Sequence, residues 1–573
     1  MSLFRKSDIE DLDNKIDDIV KAADRERYQK VRPTKDQMWE MIYTVLDHVS
    51  DKKRKIYGGF ALNKLIGSVA PEDTFYEDEN VEDWDIDFYS PDPIGDARDI
   101  ANALHDKGFE FVAVQEALHE ETYKVFAENI DVADISYVPR NIYNRMPFKE
   151  VKIQQPGIRG MQEKTVYLTG AHFMMIDYFR VITDPLTSYF RLKKTVDRLH
   201  LMDKHFSLPH NTSSLNIEPA EDDLEIAFRT VHEFFTDRES TIVLGVYAYD
   251  QLVKESGIQD REITGGADRK NKKSSRALSR GRENPKKQTE IKMIPVNYYE
   301  AISTKYKRDA RELILKLREK FLDDGKIITY EESYPFFQYL GFSVTIYYED
   351  DVICKLYHYN HRCTPYNTVP AYYFGKKTAE IISTNKDAKV QIGSYPMIIL
   401  YNLISIMKAR VDNDHHTKNL YYTLNSHLIE MKNWYLQNSN KTMYDDTLFK
   451  DFVLHCRGEM LTPRREKQLR IEKRKAAGKR YTFNYRPQND ADRNADINFR
   501  FKNSSGNPIR NERNRLIDLT VDELNIKDDI ESEVEEDEAT DQEEDDDEEN
   551  KNTSNKIARP TDSDLDDLVI PDE

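Results

Sequence analysis

No stretch of this chain is apolar enough to cross a bilayer. Its best run, Met397–Met407, has eleven residues and includes tyrosine, asparagine and serine, against the ~20 that a spanning helix needs. That argues against an integral membrane protein, and no membrane partner is expected. The opening MSLFRKSDIEDLDNK has no apolar segment behind its basic residues, so no signal peptide is expected. Cysteine is scarce: Cys354, Cys363 and Cys456 are the only three. They cannot build a disulfide framework, and a reducing compartment is expected. A length of 573 residues allows three or four domains at roughly 150 residues each.

Spread evenly, a net charge of −20 would argue against a nucleic-acid partner. It is not spread evenly. Residues 521–573 hold 24 acidic and 4 basic side chains, the whole of the excess, and residues 1–520 are balanced. Within that neutral body the bases cluster: ten against three acids over 268–292, and sixteen against six over 464–515. Basic arms on a neutral body are the electrostatic footprint of a polyanion partner, although charge runs are also often plain solvated loops. The 257–290 stretch has almost no apolar residues and reads as a disordered loop, while the 525–555 run is acidic and low in complexity. The expected organisation is an N-terminal helical extension (1–35), two globular domains (36–215 and 216–460, the second interrupted by the basic loop), a basic arm (461–515) and a disordered acidic tail (516–573). Ordered structure is expected over roughly 35–255 and 290–460.

The chemistry starts at KIYGGFALNKLIGS. Lys55–Tyr57 reads as a short strand, Gly58-Gly59 as a turn and Phe60–Ile66 as a helix. A Gly-Gly turn feeding a helix N-terminus leaves backbone N–H groups free for a phosphate, though such turns are common without one. In EDWDIDFYS, strand alternation puts Trp84, Ile86 and Phe88 toward a core and Asp83, Asp85 and Asp87 on the other face. Asp85 and Asp87 then lie about 6–7 Å apart. Like charges on one strand face are costly unless cations neutralise them. In NIDVADISYVP, Asp134 offers a third carboxylate; Asp131 competes from the opposite face of the same strand, and the apolar-Asp-Ile-Ser-aromatic setting favours Asp134. Gly-Gly, Asp-x-Asp and a later strand Asp make the pattern of two-metal nucleotidyl transfer, with hard oxygen ligands for Mg2+ or Mn2+ and a turn for the triphosphate. After Pro185, Arg191, Lys194 and Arg198 share one helix face, placed to meet a triphosphate or a nucleic-acid backbone.

The segments YGGFALNKLI, DWDIDF, ADISYVP and GAHFMMIDYFRVITDPLTSYFRLKKTVDRL resemble, over about residues 55–200, the nucleotidyltransferase superfamily that contains DNA polymerase beta. Closer still, they resemble the poly(A) polymerase catalytic subunits of large cytoplasmic DNA viruses: poxviruses, African swine fever virus and the giant mimivirus group. Many members carry Gly-Ser at the turn; Gly59 removes any serine hydroxyl here. The resemblance implies template-independent addition of AMP from ATP to an RNA 3′ end. Asp85, Asp87 and Asp134 would be the catalytic ligands of two Mg2+ or Mn2+ ions, and Gly58, Gly59, Arg191, Lys194 and Arg198 would bind the nucleotide. It also implies a homodimer, working in the host cytoplasm (the viral factory) and carried in the virion. The alternatives are another terminal nucleotidyltransferase, such as one adding UMP, and a non-catalytic RNA-binding processivity partner; the intact carboxylate triad argues against the second. In the basic arm, Arg464, Arg465, Lys473, Arg474, Lys475, Lys479 and Arg480, then Tyr481, Phe483 and Tyr485 on alternate positions, are expected to grip RNA by phosphate contact and stacking.

The chain also matches itself. IYGGFALNKLI (56–66) pairs with VLGVYAYDQLV (243–253), DARDIANAL (96–104) with DARELILKL (309–317), and GAHFMMIDYFRVI (170–182) with GSYPMIILYNLIS (393–405). The matches are collinear, and the spacing between them grows as insertions require. The expected fold class is α+β: tandem nucleotidyltransferase-like domains, each a mixed sheet backed by helices, the first catalytic and the second inert. In the second copy, MIPVNYYE (293–300) has no Asp and VICKLYHYN (352–360) no carboxylate. Cys354, His358, His361 and Cys363 crowd into ten residues there. Without a CxxC pair they read as a buried strand and turn, not as zinc ligands.

Overall fold

The computed structural model describes residues 5–31, 33–77, 84–119, 121–157, 160–209, 222–258, 291–374, 381–476 and 483–489. Asp83, Lys479, Arg480, Tyr481, the acidic tail and nearly all of the 257–290 loop lie outside the described residues.

Two mixed sheets carry the fold. The first is built from β1 (Lys55–Tyr57), β2 (Ile86–Ser90), β3 (Ala113–Glu116), β4 (Thr122–Ala127), β5 (Ile130–Tyr137), β6 (Phe148–Gly157) and β7 (Gly160–Thr169). The second uses β8 (Thr241–Leu244), β9 (Tyr299–Ser303), β10 (Ile328–Ser333), β11 (Ser343–Tyr348), β12 (Asp351–His358), β13 (Thr364–Phe374), β14 (Ile381–Gly393) and β15 (Cys456–Arg457). A last short strand, β16 (Asn484–Tyr485), returns to the first sheet. The spatial orders are β16-β3-β4-β5-β2-β1-β7-β6 and β10-β11-β12-β9-β8-β14-β13-β15. Without the added edges β16 and β15, the two orders are the same topology. The tandem duplication is therefore present in the backbone.

It is present in the side chains as well. At the end of β2, Ser90 donates to Asp96, the first-turn acid of helix Pro93–Asp106, and Ser90 Oγ also accepts from Asp92 N at 2.9 Å. At the end of β9, Ser303 donates to Asp309 at 2.7 Å and accepts from Lys305 N at 3.0 Å. Each buried Asp is held by an arginine: Arg54 on Asp96 at 2.6 and 2.9 Å, and Arg238 on Asp309 at 3.0 Å. Buried charge persists only when paired and hydrogen-bonded. The shared DAR sequence is thus an anchor that seats a helix against its sheet. The copies pack on each other through equivalent helices, Ala171–Ile182 and Tyr395–Asp412.

Order continues past residue 460, contrary to the sequence expectation. Helix Pro463–Ala476 packs on the β3–β4 turn, and β16 pairs with β3, Tyr485 opposite Val114. Phe483 and Tyr485 are buried. Phe483 meets Tyr123 edge-on at 5.4 Å, and Tyr485 donates to Asn102 at 2.6 Å. Alternate aromatics here fill a core, so these two are not an RNA-stacking platform. A second correction concerns cysteine. Cys363 and Cys456 are bonded, with Cα atoms 5.3 Å apart, because β13 pairs with β15 and sets Pro365 opposite Cys456. Cys354 is free and buried in β12.

The second core holds a titratable group. His232 is 6% exposed, among the rings of Tyr247, Tyr299 and Tyr373 at 5.2–6.2 Å. Burial pushes its pKa down to about 4, against about 6.5 unfolded. On acidification the unfolded chain takes up the proton first. Stability therefore falls as the pH drops below about 6.5, and this group alone costs on the order of 2 kcal/mol by pH 5. His232→Phe should show a shallower drop in Tm between pH 7 and pH 5 than the parent; parallel curves would remove His232 from the acid response.

Candidate active site

β2 runs between β1 and β5, and its two registers assemble the site. Antiparallel pairing sets Asp87 opposite Tyr57, the residue before the Gly-Gly turn. Parallel pairing sets Asp87 opposite Asp134. The turn closes against the same carboxylate. Gly58 has φ +74°, and a Cβ there would come within 2.3 Å of Asp87 Oδ2. Only glycine both tolerates that conformation and leaves room for the acid. Helix Gly58–Gly67 starts at this point with no side-chain cap, so its first N–H groups face the site. Tyr57 supports the turn from below, stacked on Tyr89 at 4.0 Å and hydrogen-bonded to Ser136 at 2.9 Å. Asp85 precedes β2 and is exposed.

The charge in this cluster is out of balance. Burial, then Asp85 and Asp134, push the Asp87 pKa well above the carboxylate range. Burial pushes Asp134 up to about 6, against the pull of Lys124. One oxygen of Asp134, Oδ1, is buried with no hydrogen-bond partner. Repelling carboxylates with an orphaned oxygen are a donor set suited to a hard divalent cation. Among the described residues no three His, Cys, Asp or Glu side chains already converge as a ready-made cage; the acids stand in register and are not gathered.

Lys124 and Asp131 belong here and were missed or misplaced from sequence. Lys124 Nζ lies 3.1 Å from Asp134 and pairs with Asp131 as well. Strict strand alternation puts Asp131 on the face opposite Asp134. A register shift in the β4–β5 pairing, between Val125 and Phe126, breaks the alternation and turns both acids to Lys124. Burial and Asp134 push Asp131 up to about 8. Strict period-two reading cannot see a bulge; the lone Lys124 between buried Tyr123 and Val125 was the available signal.

On the other side of the turn, Arg198 closes on Gly59. A Cβ at Gly59 would come within 2.9 Å of Arg198 Nη2 and 2.6 Å of the Tyr76 hydroxyl. Arg198 donates to that hydroxyl at 2.7 Å and lies over Phe75 at 5.1 Å. The Phe75–Tyr76 loop is tied down by buried Asn63, whose Oδ1 accepts from both backbone N–H groups at 2.8 and 3.0 Å. Arg191 sits just before helix Leu192–His205 and acts electrostatically on Asp134. Lys194 is exposed in the first turn of that helix.

A family model described as the poly(A) polymerase catalytic subunit matches residues 43–188. A second, for the C-terminal part of the APMV poly(A) polymerase catalytic subunit, matches residues 269–519. A protein of Acanthamoeba polyphaga mimivirus named as a poly(A) polymerase catalytic subunit is 28% identical over 540 residues, 91% of this chain and 85% of that one. The chain belongs to the poly(A) polymerase catalytic-subunit family. The crystal structure of the Megavirus polyadenylate synthase matches with a TM-score of 0.69 at 28% identity, over 90% of this chain and 95% of that one. A protein of African swine fever virus (strain Badajoz 1971 Vero-adapted) named as a poly(A) polymerase catalytic subunit is 31% identical over 173 residues, 29% of this chain and 33% of that one.

In this family member the second copy preserves the frame of the site with its charges altered. Glu300 lies opposite Leu244, as Asp87 lies opposite Tyr57, and Gly245 (φ +61°) would bring a Cβ within 2.3 Å of Glu300 Oε2. Glu300 pairs in register with Lys355, as Asp87 does with Asp134. So Asp85, Asp87 and Asp134 correspond to Tyr298, Glu300 and Lys355. One carboxylate survives where the sequence showed only the loss of Asp. Both its oxygens are taken by tyrosine hydroxyls, from Tyr357 at 2.6 Å and from Tyr421.

The ordered part of the basic arm is partly engaged inside the protein. Arg474 is paired with Glu116 at 2.7 Å, and Lys467 and Arg470 donate to the carbonyls of Glu116 and Leu118 at 2.9 and 2.7 Å. Arg464, Arg465, Lys473 and Lys475 are exposed on the same helix.

Proposed function

We propose that this protein extends RNA 3′ ends with AMP taken from ATP, without a template, at the site of the first copy. The observation that carries this is the double register of β2, which sets Asp87 beside both Asp134 and the Gly58 turn, in a chain of the poly(A) polymerase family. Asp85, Asp87 and Asp134 would hold two Mg2+ or Mn2+ ions. When bound, such ions lower the pKa of the attacking hydroxyl and offset the charge of the triphosphate. The chain's own part is positional. The uncapped helix N-terminus at Gly58–Gly59 and the Arg198 guanidinium cradle the triphosphate. Asp134 faces the incoming 3′ oxygen, which bonds to the α-phosphorus as the α–β bridging oxygen departs with pyrophosphate. Family resemblance supports a homodimer acting in the host cytoplasm.

The test is direct: purified protein, labelled oligo(A) and each NTP separately, with Mg2+ or Mn2+. A ladder with ATP is expected. A ladder with UTP alone would favour a uridylyl transferase, and no ladder with any NTP would sink the proposal. The second copy is read as inert because its carboxylate is occupied by tyrosines and faces a lysine. Glu300→Gln should therefore leave single AMP addition within about twofold, since the tyrosine hydrogen bonds are retained while no transition-state contact is removed. A tenfold loss in single-turnover rate would assign chemistry to that copy.

A further inference from the structure

The bulged hairpin of β4 and β5 has a counterpart in β11 and β12. In the first copy Lys124 lies opposite Asp134, Val125 opposite Ala133 and, past the register shift, Phe126 opposite Asp131. In the second, Thr345 lies opposite Lys355, Ile346 opposite Cys354 and, past the same shift, Tyr347 opposite Val352. The bulge therefore belongs to the frame that both copies share, and the charges on it do not. Lys124, Asp131 and Asp134 correspond to Thr345, Val352 and Lys355. The copy that lacks the two acids also lacks the lysine, so Lys124 goes with the carboxylates and is not required by the hairpin.

The contacts of Lys124 indicate what it does there. Its Nζ lies 3.1 Å from Oδ2 of Asp134 and pairs with Oδ2 of Asp131 as well. The other oxygen of Asp134, Oδ1, is buried without a hydrogen-bond partner, on the residue that stands in parallel register with Asp87. One lysine thus bridges two acids, fixes one oxygen of the third proposed ligand and leaves the other bare. The side chains of Lys124, Asp131 and Asp134 are 34%, 29% and 20% exposed, so ions from solution reach them. An ammonium seated on Oδ2 repels a divalent cation from that oxygen.

We propose that Lys124 is a built-in counter-ion of the site, which holds Asp131 and Asp134 together until a divalent cation binds and leaves only Oδ1 of Asp134 to that cation. This rests on the two-metal reading of the site. Lys124 is then a positioning residue that lowers metal affinity in exchange for a fixed ligand. Without it the two acids repel each other across the bulge. Both oxygens of Asp134 become available to an ion, which binds more tightly but no longer in the one place that the reaction needs.

The experiment uses the full-length chain and reads metal binding beside chemistry. Free Mn2+ is followed by electron paramagnetic resonance without ATP or RNA, in an alkaline buffer that limits competition from protons. The binding that Asp87→Ala abolishes defines the signal of the site. Lys124→Gln should bind Mn2+ about threefold to tenfold more tightly than the parent, because one positive charge leaves a cation site. At saturating Mn2+ and ATP it should nevertheless add a single AMP at least about tenfold more slowly. Lys124→Arg, which keeps the charge, should return the affinity to within about twofold of the parent. Melting curves give a second readout: Mn2+ should raise the Tm of Lys124→Gln more than that of the parent. Lys124→Thr, with the side chain that the second hairpin carries at this position, should behave as Lys124→Gln does and guards against a variant that fails to fold. A merely structural lysine would not give affinity and rate changes of opposite sign. Unchanged or weaker Mn2+ binding in Lys124→Gln and Lys124→Thr would overturn the proposal. So would tighter binding with an undiminished rate, or Lys124→Arg binding Mn2+ as tightly as Lys124→Gln. Each of these leaves the two-metal reading standing. That reading fails separately, and takes this inference with it, if Asp87→Ala leaves Mn2+ binding unchanged.

Discussion

Asp87→Ala is expected to lower AMP addition by at least about 10³-fold without lowering Tm. The first half follows from the site. Asp87 is the one carboxylate in register with both the turn and Asp134, so its loss removes a ligand common to both proposed ions, and metal electrostatics supply several kcal/mol to such transition states. The second half follows from the charge balance. The folded chain already disfavours ionised Asp87, because burial and two neighbouring acids push its pKa up. Deleting that acid removes repulsion and no tight ion pair. Asp85→Ala and Asp134→Ala should fall in the same activity class. Asp131→Ala discriminates: it shares Lys124 with Asp134 but lies outside the register with Asp87. A loss of about tenfold is expected there, from a displaced Lys124. Single-turnover addition of one AMP to oligo(A), beside melting curves, reads both halves. Asp87→Ala within tenfold of the parent would end the two-metal assignment. Asp131→Ala worse than Asp134→Ala would move the third ligand to Asp131.

Gly58→Ala should be nearly as damaging, by a different route. At φ +74° an L-residue pays about 1–2 kcal/mol of steric energy. The new Cβ would also lie 2.3 Å from Asp87 Oδ2, closer than any real contact. Either the carboxylate rotates out of register or the turn lifts away from it. Displacements near 1 Å at a reacting centre cost on the order of 10²-fold, so a loss of that size or more is expected, with a Tm several degrees lower. Gly245→Ala is the internal control. Its φ of +61° and its 2.3 Å approach to Glu300 reproduce the strain almost atom for atom. It should cost a similar Tm shift yet leave AMP addition within a few-fold at temperatures where the variant is folded. Equal losses of activity in the two variants would show that the second turn also serves the reaction.

The site was legible where its determinants are local. The Gly-Gly turn shows itself by composition, because only glycine fits φ +74° beside an acid. Asp87 and Asp134 show themselves by sitting between residues that alternate into a core. The duplication was legible for the same reason: the DAR anchor and the strand–glycine–helix unit are short, contiguous and under tight packing constraint.

What the amino-acid sequence determined by itself, then, is the candidate carboxylate site with its glycine turn, the tandem frame and the location of the charge. Each depends on neighbours a few residues away, through strand period, turn chemistry and composition. What only the tertiary structure decided depends on partners far along the chain. The bulge that turns Asp131 to Lys124 arises from a mismatch between two strands. The equivalence of Glu300 and Lys355 with Asp87 and Asp134 needs a register between strands more than fifty residues apart. Phe483 and Tyr485 looked like a stacking surface until β3 took them as its edge. Cys363 and Cys456 met across β13 and β15, 93 positions apart. Arg180 and Arg362, 182 positions apart in the chain, line one crevice only because the two copies pack together. Side-chain period is a property of one strand, whereas register, edge pairing and the meeting of like charges are properties of two, and no single segment encodes them.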